Sequence, residues 1–320
     1  MSESNGPVAA AAGPLLGPAE IRELAERAGV RPTKTLGQNF VLDGGTVRKI
    51  VRGADIVAGE RVVEVGPGLG SLTLGLLEAG ADLVAVEIDP VLAGLLPDTV
   101  RRHVPGATVT TVDLPATEAE PATLTLVRGD ALDVRALPGR PPTALVANLP
   151  YNVSVPVLLG FLEHFPSLER VLVMVQAEVA DRLAAPPGSR TYGVPSAKTA
   201  WYAEARRTVT VGRSVFWPVP NVDSALVRLD RRTPPTTTAT REQVFAVVDA
   251  AFAQRRKMLR AALAPLAGDT ATATAAIEAA GVDPQARGEA LDITAFARVA
   301  EQLPAEALVH RGPAPTRRRR

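Results

Sequence analysis

Cysteine is absent from all 320 residues. Disulfides, zinc-thiolate sites and thiol nucleophiles are therefore excluded, and a cytoplasmic location is expected. Long apolar runs are missing as well. No window approaches the roughly 18 apolar residues of a membrane span, so no membrane partner is expected. The N-terminus lacks the basic start and unbroken apolar stretch of a signal peptide. Glu3 is the only charge before Glu20, and Pro7, Gly13, Pro14, Gly17 and Pro18 interrupt the segment. Residues 1–17 read as a disordered tail. Lysine is scarce: of 35 basic residues only Lys34, Lys49, Lys198 and Lys257 are lysines. Nucleotide composition explains that bias as well as a need for guanidinium groups does. No His/Asp/Glu cluster has the spacing of a metal site, and no metal is expected.

What is present suits a large core. Hydrophobic residues make up 46% and charged residues 22%, and the length accommodates a large domain with a small one. The net charge of +1 is unevenly spread. Residues 1–150 hold 13 basic against 18 acidic side chains, and residues 151–320 hold 22 against 16. A basic second half suits a polyanionic partner. Compositional drift, helped by the arginines at 317–320, is the alternative.

Residues 19–29 have the apolar spacing of a helix, with Ile21, Leu24, Ala25 and Ala28 on one face and Gly29 as its stop. A second helix is expected over 45–54, opened by Asp43. Strands at 61–65, 82–88, 124–128, 143–148 and 170–176 then alternate with helices at 69–79, 90–102 and 155–164. That order predicts βαβ units, a mostly parallel sheet and an α/β, Rossmann-like domain. Segments 206–211 and 224–230 read as an antiparallel pair completing the sheet. The Pro/Thr-rich stretch 231–241 is the expected boundary, with helices beyond it, the first over 242–263. The expected organisation is thus a tail (1–17), an α/β domain (18–232), a C-terminal helical domain (233–310) and a basic disordered tail (311–320).

The strand ending at Val65 runs into Gly66-Pro67-Gly68-Leu69-Gly70 and a helix. Glycines there let backbone approach a ligand, and the helix N-terminus offers free N–H groups. Glu87, at the end of the next strand, is placed to accept hydrogen bonds from both ribose hydroxyls of an adenosine-containing cofactor. These two features do not by themselves separate a dinucleotide from S-adenosylmethionine. The dinucleotide fingerprint asks for a third glycine at position 71, which is Ser71. The G-x-G-x-G spacing, with Glu64 before it, is the pattern of Rossmann-like methyltransferases. Asp130, after the third strand, is placed to bond an adenine amine.

Asn148-Leu149-Pro150-Tyr151 stands at the end of the fourth strand, where open α/β sheets place their ligands. An adenine exocyclic amine is a poor nucleophile because its lone pair is delocalised into the ring. The Asn148 side-chain oxygen and the Leu149 carbonyl suit the acceptance of its two hydrogens, which favours a pyramidal nitrogen. Positioning and electrostatics then carry the step without a general base. Pro150 fixes the backbone, and Tyr151 offers a ring to an unstacked base. In isolation this tetrapeptide is a weak signal, and a tight turn with a buried tyrosine is the alternative. Its place after the glycine turn and Glu87 gives it weight.

With GQNF, EVGPGLG, VEID, GDAL and NLPYNVS in one order, the chain resembles the rRNA adenine dimethyltransferases over about residues 33–265. It is more similar to the housekeeping small-subunit branch than to the antibiotic-resistance branch. VFWPVPNVDSALVRL (215–229) and AFAQRRKMLRAAL (251–263) resemble that branch. The resemblance implies S-adenosylmethionine as cofactor, contacted by Asn39, Val41, Gly66, Glu87, Asp130 and Asn148, with Gly68 and Gly70 in the same turn. It implies catalysis by Asn148, Leu149, Pro150 and Tyr151, with Tyr151 and Phe216 stacking on the base. The implied substrate is a pair of adjacent adenines in a small-subunit rRNA hairpin, and the implied role is maturation of that subunit. The chain departs from the family at Val41, where leucine is usual. Residues 103–125 read as an insertion, and little of the pattern continues past 267.

Arg255, Arg256, Lys257 and Arg260 are expected on one helix, contacting RNA phosphates. A solvated helix face is the alternative, as is a structural role for Arg255. Three rival functions remain at this point: a ribosome-assembly binding factor, a large-subunit rRNA dimethyltransferase conferring resistance, and, least favoured given Ser71, a dehydrogenase. A monomer is expected.

Overall fold

The computed structural model describes residues 15–29 and 39–304. Among them the chain forms two compact units. One takes in the residues up to Ala180 together with Ala205–Arg231, and the other Asp181–Glu204 and the residues from Arg232 onward.

The first unit opens with α1 (Pro18–Arg27), β1 (Phe40–Val41), α2 (Gly44–Gly53), β2 (Arg61–Val65) and α3 (Ser71–Glu78). There follow β3 (Asp82–Glu87), α4 (Pro90–His103), β4 (Val109–Asp113), β5 (Leu124–Arg128), β6 (Ala144–Asn148), α5 (Ser154–His164) and β7 (Arg170–Gln176). The chain leaves this unit within α6 (Ala177–Leu183), forms α7 (Val194–Tyr202), and returns within β8 (Ala203–Val211) before β9 (Phe216–Trp217) and β10 (Ser224–Arg231). The second unit continues with α8 (Arg241–Ala253), α9 (Leu259–Ala267), α10 (Thr270–Ala279) and α11 (Ile293–Gln302).

The main sheet has the order β4-β5-β3-β2-β6-β7-β10-β8. Its neighbours from β4 to β7 are parallel, and β10 pairs antiparallel to β7. All five residues of β2 are buried, as a parallel strand covered on both faces requires. The strand order reverses about β2, with β3 on one side and β6 on the other. The carboxyl ends there form the crevice in which such sheets bind ligands.

Four expectations need correction. Residues 103–125 are not a bare insertion, since β4 within them adds a parallel strand at the sheet edge beside β5. The β3/β5 register pairs Glu87 with Arg128, so Asp130 follows at the same end of the sheet as Glu87. The tail assigned to 1–17 stops short of Leu16, which is buried in the core against which α1 packs Ile21, Leu24 and Ala25. Residues 1–14 and the basic tail 311–320 lie outside the described residues.

The helix expected over 242–263 is two helices. α8 ends at Ala253, Gln254 leaves helical geometry, and α9 starts at Leu259. The break lets both helices turn apolar residues, Val247 and Val248 on one and Leu259 and Leu263 on the other, into a common core. The first amides of α9 are satisfied from outside the helix: Leu259 N donates to Ala286 O and Arg260 N to Pro284 O. Residues 181–204, which the boundary near 232 left in the first domain, belong to this second unit. Tyr192 meets Phe252 edge-on at 5.9 Å, and Trp201 and Tyr202 each meet Phe245 at 6.1 Å. These ring contacts supply the apolar burial that holds the segment there.

Candidate active site

A cavity of about 400 Å³ opens at the carboxyl ends of β2, β3, β5 and β6. Its floor is the turn after β2, where Gly66, Gly68 and Gly70 have φ of 69°, 58° and 99°. A side chain at Gly68 would bring its Cβ to 3.1 Å from the Phe40 ring, so the turn needs glycine for space as well as conformation. Ser71, which occupies the place of a third glycine, donates from Oγ to Val41 O at 2.8 Å and ties the turn to β1.

Glu87 is only 5% exposed. Its Oε2 accepts from Gly68 N at 3.0 Å and its Oε1 from Asp89 N at 2.9 Å. Burial pushes this carboxyl above its ordinary range, while the two amides work to keep it charged. Each oxygen retains a lone pair toward the cavity, the arrangement that a ribose diol requires. The exposed side chain of Ile88 and that of Leu132 add apolar walls beside Glu87 and Asp130. Asp130 Oδ1 accepts from Leu132 N at 2.9 Å, which leaves acceptor sites on both oxygens. These residues fit an adenosine-bearing cofactor.

Glu64 lies beneath the turn, 1% exposed, and accepts from Thr73 Oγ1 at 2.7 Å. Burial pushes its carboxyl up to about 8; the Thr73 hydrogen bond opposes this and the charge of Glu87 adds to it. Glu64 is therefore protonated in the folded protein at neutral pH and ionised in the unfolded chain, whose carboxyl titrates near 4.5. Stability falls as pH rises between these two values, because the folded state retains a proton that the unfolded state has lost. In cofactor-free protein, Glu64→Gln is expected to flatten that decline and raise Tm by several degrees at pH 8. Parallel Tm-against-pH curves for the two proteins would contradict this.

On the other wall, Asn148 ends β6 and its Nδ2 donates to Asn39 O at 2.9 Å. That bond fixes the amide orientation, and Oδ1 has no partner among the described residues. Leu149 N donates to Met174 O at 3.1 Å, anchoring the next residue to β7. Tyr151 lines the cavity and its hydroxyl meets Ser224 Oγ at 2.8 Å. Val41 is buried in β1, with its carbonyl on Ser71.

Phe216, expected to stack on the base, is not brought to the cavity. It is 0% exposed within the core, because β9 pairs with β1 and sets Phe216 opposite Val41. Tyr151 and Phe40 are the aromatic residues that line the cavity. Residues the sequence reading passed over are Ser71 as a tether, Ser224, and the apolar pair Ile88 and Leu132. Only the adjacency of that pair to Glu87 and Asp130 signals them.

In the second unit, Arg255, Arg256 and Lys257 sit in the turn between α8 and α9 rather than on one helix, and Arg260 is on α9. Arg255 is engaged: Nε donates to Glu289 Oε2 at 2.8 Å and a terminal nitrogen to Arg190 O at 2.6 Å. Arg256 and Lys257 are exposed. No helix among the described residues is long and apolar enough to cross a membrane, and no group of metal-ligating side chains occurs among them.

The sheet order, the glycine turn with its buried carboxylate and the Asn-Leu-Pro-Tyr strand end define a Rossmann-like, S-adenosylmethionine-dependent methyltransferase. The family model described as ribosomal RNA adenine dimethylase matches residues 30–304. Ribosomal RNA small subunit methyltransferase A of Streptomyces avermitilis is 64% identical over 293 residues, covering 91% of this chain and 95% of that protein. The crystal structure of a dimethyladenosine transferase from Plasmodium falciparum shares the fold, with a TM-score of 0.62 at 21% identity over 81% of this chain and 95% of that one. The 23S rRNA methyltransferase ErmE aligns with a TM-score of 0.57 at 28% identity, over 82% of this chain and 99% of its own. The chain belongs to the ribosomal RNA adenine dimethylase family.

Proposed function

We propose that this protein methylates the exocyclic amines of two adjacent adenines in a small-subunit rRNA hairpin, giving dimethyladenosines during maturation of that subunit. The observation that carries the reading is the amide of Asn148. Its nitrogen is committed to Asn39 O, so its oxygen is the group presented beside a cavity that fits the cofactor. The bound cofactor supplies an electrophilic methyl group. The Asn148 oxygen and the Leu149 carbonyl accept the amine hydrogens and turn the nitrogen lone pair toward that methyl. Tyr151 stacks on the base, and Pro150 holds the backbone between them. Glu87 takes the ribose hydroxyls and Asp130 the adenine amine.

Two observations favour the small subunit over the resistance-type reaction on the large one. The relatives at 60–64% identity are named for the small subunit, and NVDSALVRL and the RRKMLR segment resemble that branch. A pure assembly factor would have no use for the cavity. The experiment is incubation with methyl-labelled cofactor and separated subunits: label is expected in small-subunit RNA and not in large-subunit RNA. Label confined to the large subunit would favour the resistance-type reading.

One flipped base carries little positional information, so selecting one hairpin requires a wider footprint of phosphate contacts. The exposed Arg256 and Lys257 are candidates, whereas Arg255 serves the fold of its own unit. Arg256→Glu with Lys257→Glu is expected to raise the KM for small subunits at least about tenfold, about 1.4 kcal/mol. Cofactor affinity should be unaffected, and the effect should shrink at high salt. Unchanged kinetics at low salt would assign the docking surface elsewhere.

A further inference from the structure

We propose that Ser224 is a positioning residue for methyl transfer: its hydroxyl, 2.8 Å from that of Tyr151, sets the angle of the ring on which the target base stacks. The inference rests on the stacking role given to Tyr151 above. Ser224 opens β10 opposite Gln176 of β7 and is 0% exposed. Its strand neighbours Ala225, Leu226 and Val227 are all buried and apolar. A hydroxyl in such a place costs stability unless it is hydrogen-bonded. Among the described residues the Tyr151 hydroxyl is its one side-chain partner.

Tyr151 stands 73 residues earlier, just past the end of β6. Its backbone end is held by the rigid Pro150, whose carbonyl accepts from Val153 N at 3.3 Å. A tyrosine held only at its backbone is free to change χ1 and to swing broadly about χ2. Anchored also at the hydroxyl, the ring presents a fixed face to the cavity it lines. Productive geometries are met within about 10–20° of orientation, so a swinging ring spends most of its time outside that window. Ser224 does not line the cavity and so acts through Tyr151. Loss of the anchor therefore bears on the reacting geometry rather than on cofactor binding.

The test is a double-mutant cycle on methyl transfer to small subunits, with Ser224→Ala, Tyr151→Phe and the pair, and Tyr151→Ala as reference. Ser224→Ala and Tyr151→Phe are each expected to lower kcat roughly tenfold, the order of a modest misplacement of the reacting groups. KM and cofactor affinity by calorimetry should stay unchanged. The pair should be no slower than either single variant, since both remove the same bond. Tyr151→Ala, which removes the ring itself, should be slower than all of them. Wild-type kcat in Ser224→Ala, losses that multiply in the pair, or a loss confined to cofactor affinity would each overturn the positioning role. Wild-type kcat in Tyr151→Ala would overturn the stacking role itself.

Discussion

Replacement of Asn148 by alanine is expected to lower kcat by at least about a hundredfold, the scale of removing one preorganised polar group at a transition state. RNA binding should survive. The reason lies in how the side chain is held. Its Nδ2 is fixed by Asn39 O at 2.9 Å, so the oxygen needs no reorganisation when the amine pyramidalises. Such a group acts on the transition state and contributes little to ground-state affinity. Single-turnover methylation with saturating subunits is the direct measurement. A variant that loses RNA affinity but keeps its turnover rate would show that Asn148 serves docking instead.

Glu87→Ala is expected to weaken S-adenosylmethionine binding by roughly 1.5–3 kcal/mol, the range for charge-assisted hydrogen bonds to two hydroxyls. The buried carboxylate also organises the turn, through Gly68 N and Asp89 N. Glu87→Gln, which keeps one acceptor and much of the shape, should lose less. Calorimetry on both variants separates these contributions, and equal losses would assign the whole effect to charge. Wild-type protein should show no affinity for NAD; micromolar binding would contradict the class. The tether from Ser71 to Val41 O explains the difference from a dinucleotide site in this chain, since a hydroxyl bridges to β1 where a glycine would pack closely.

The parts of this molecule legible in its sequence are those determined over a few residues. β2 and β7 read as strands because their apolar runs are buried on both faces. The glycine turn reads as a ligand loop because positive φ at three glycines is a local demand. Asn148 and Tyr151 fall at the cavity because they follow directly on β6. What remained hidden depends on distant partners. β4 has a mixed, threonine-rich face, and only its pairing with β5 makes it a strand. The break after Ala253 contains neither glycine nor proline, and its cause is the loop around Ala286 that captures the first amides of α9. The burial of Phe216 is hidden for the same reason, as it follows from pairing with a two-residue strand. Ser224 is a small polar residue in an apolar strand, and its purpose is visible only once Tyr151 is seen beside it.

The most direct test of the account is the chemical identity of the product. Small subunits methylated by the purified protein with labelled cofactor are digested to nucleosides and separated against standards. The account predicts that the label elutes as dimethyladenosine, arising from neighbouring adenines of one RNA segment. Label in a methylated cytidine or guanosine, or on a ribose hydroxyl, would contradict the roles given to Asn148 and Tyr151.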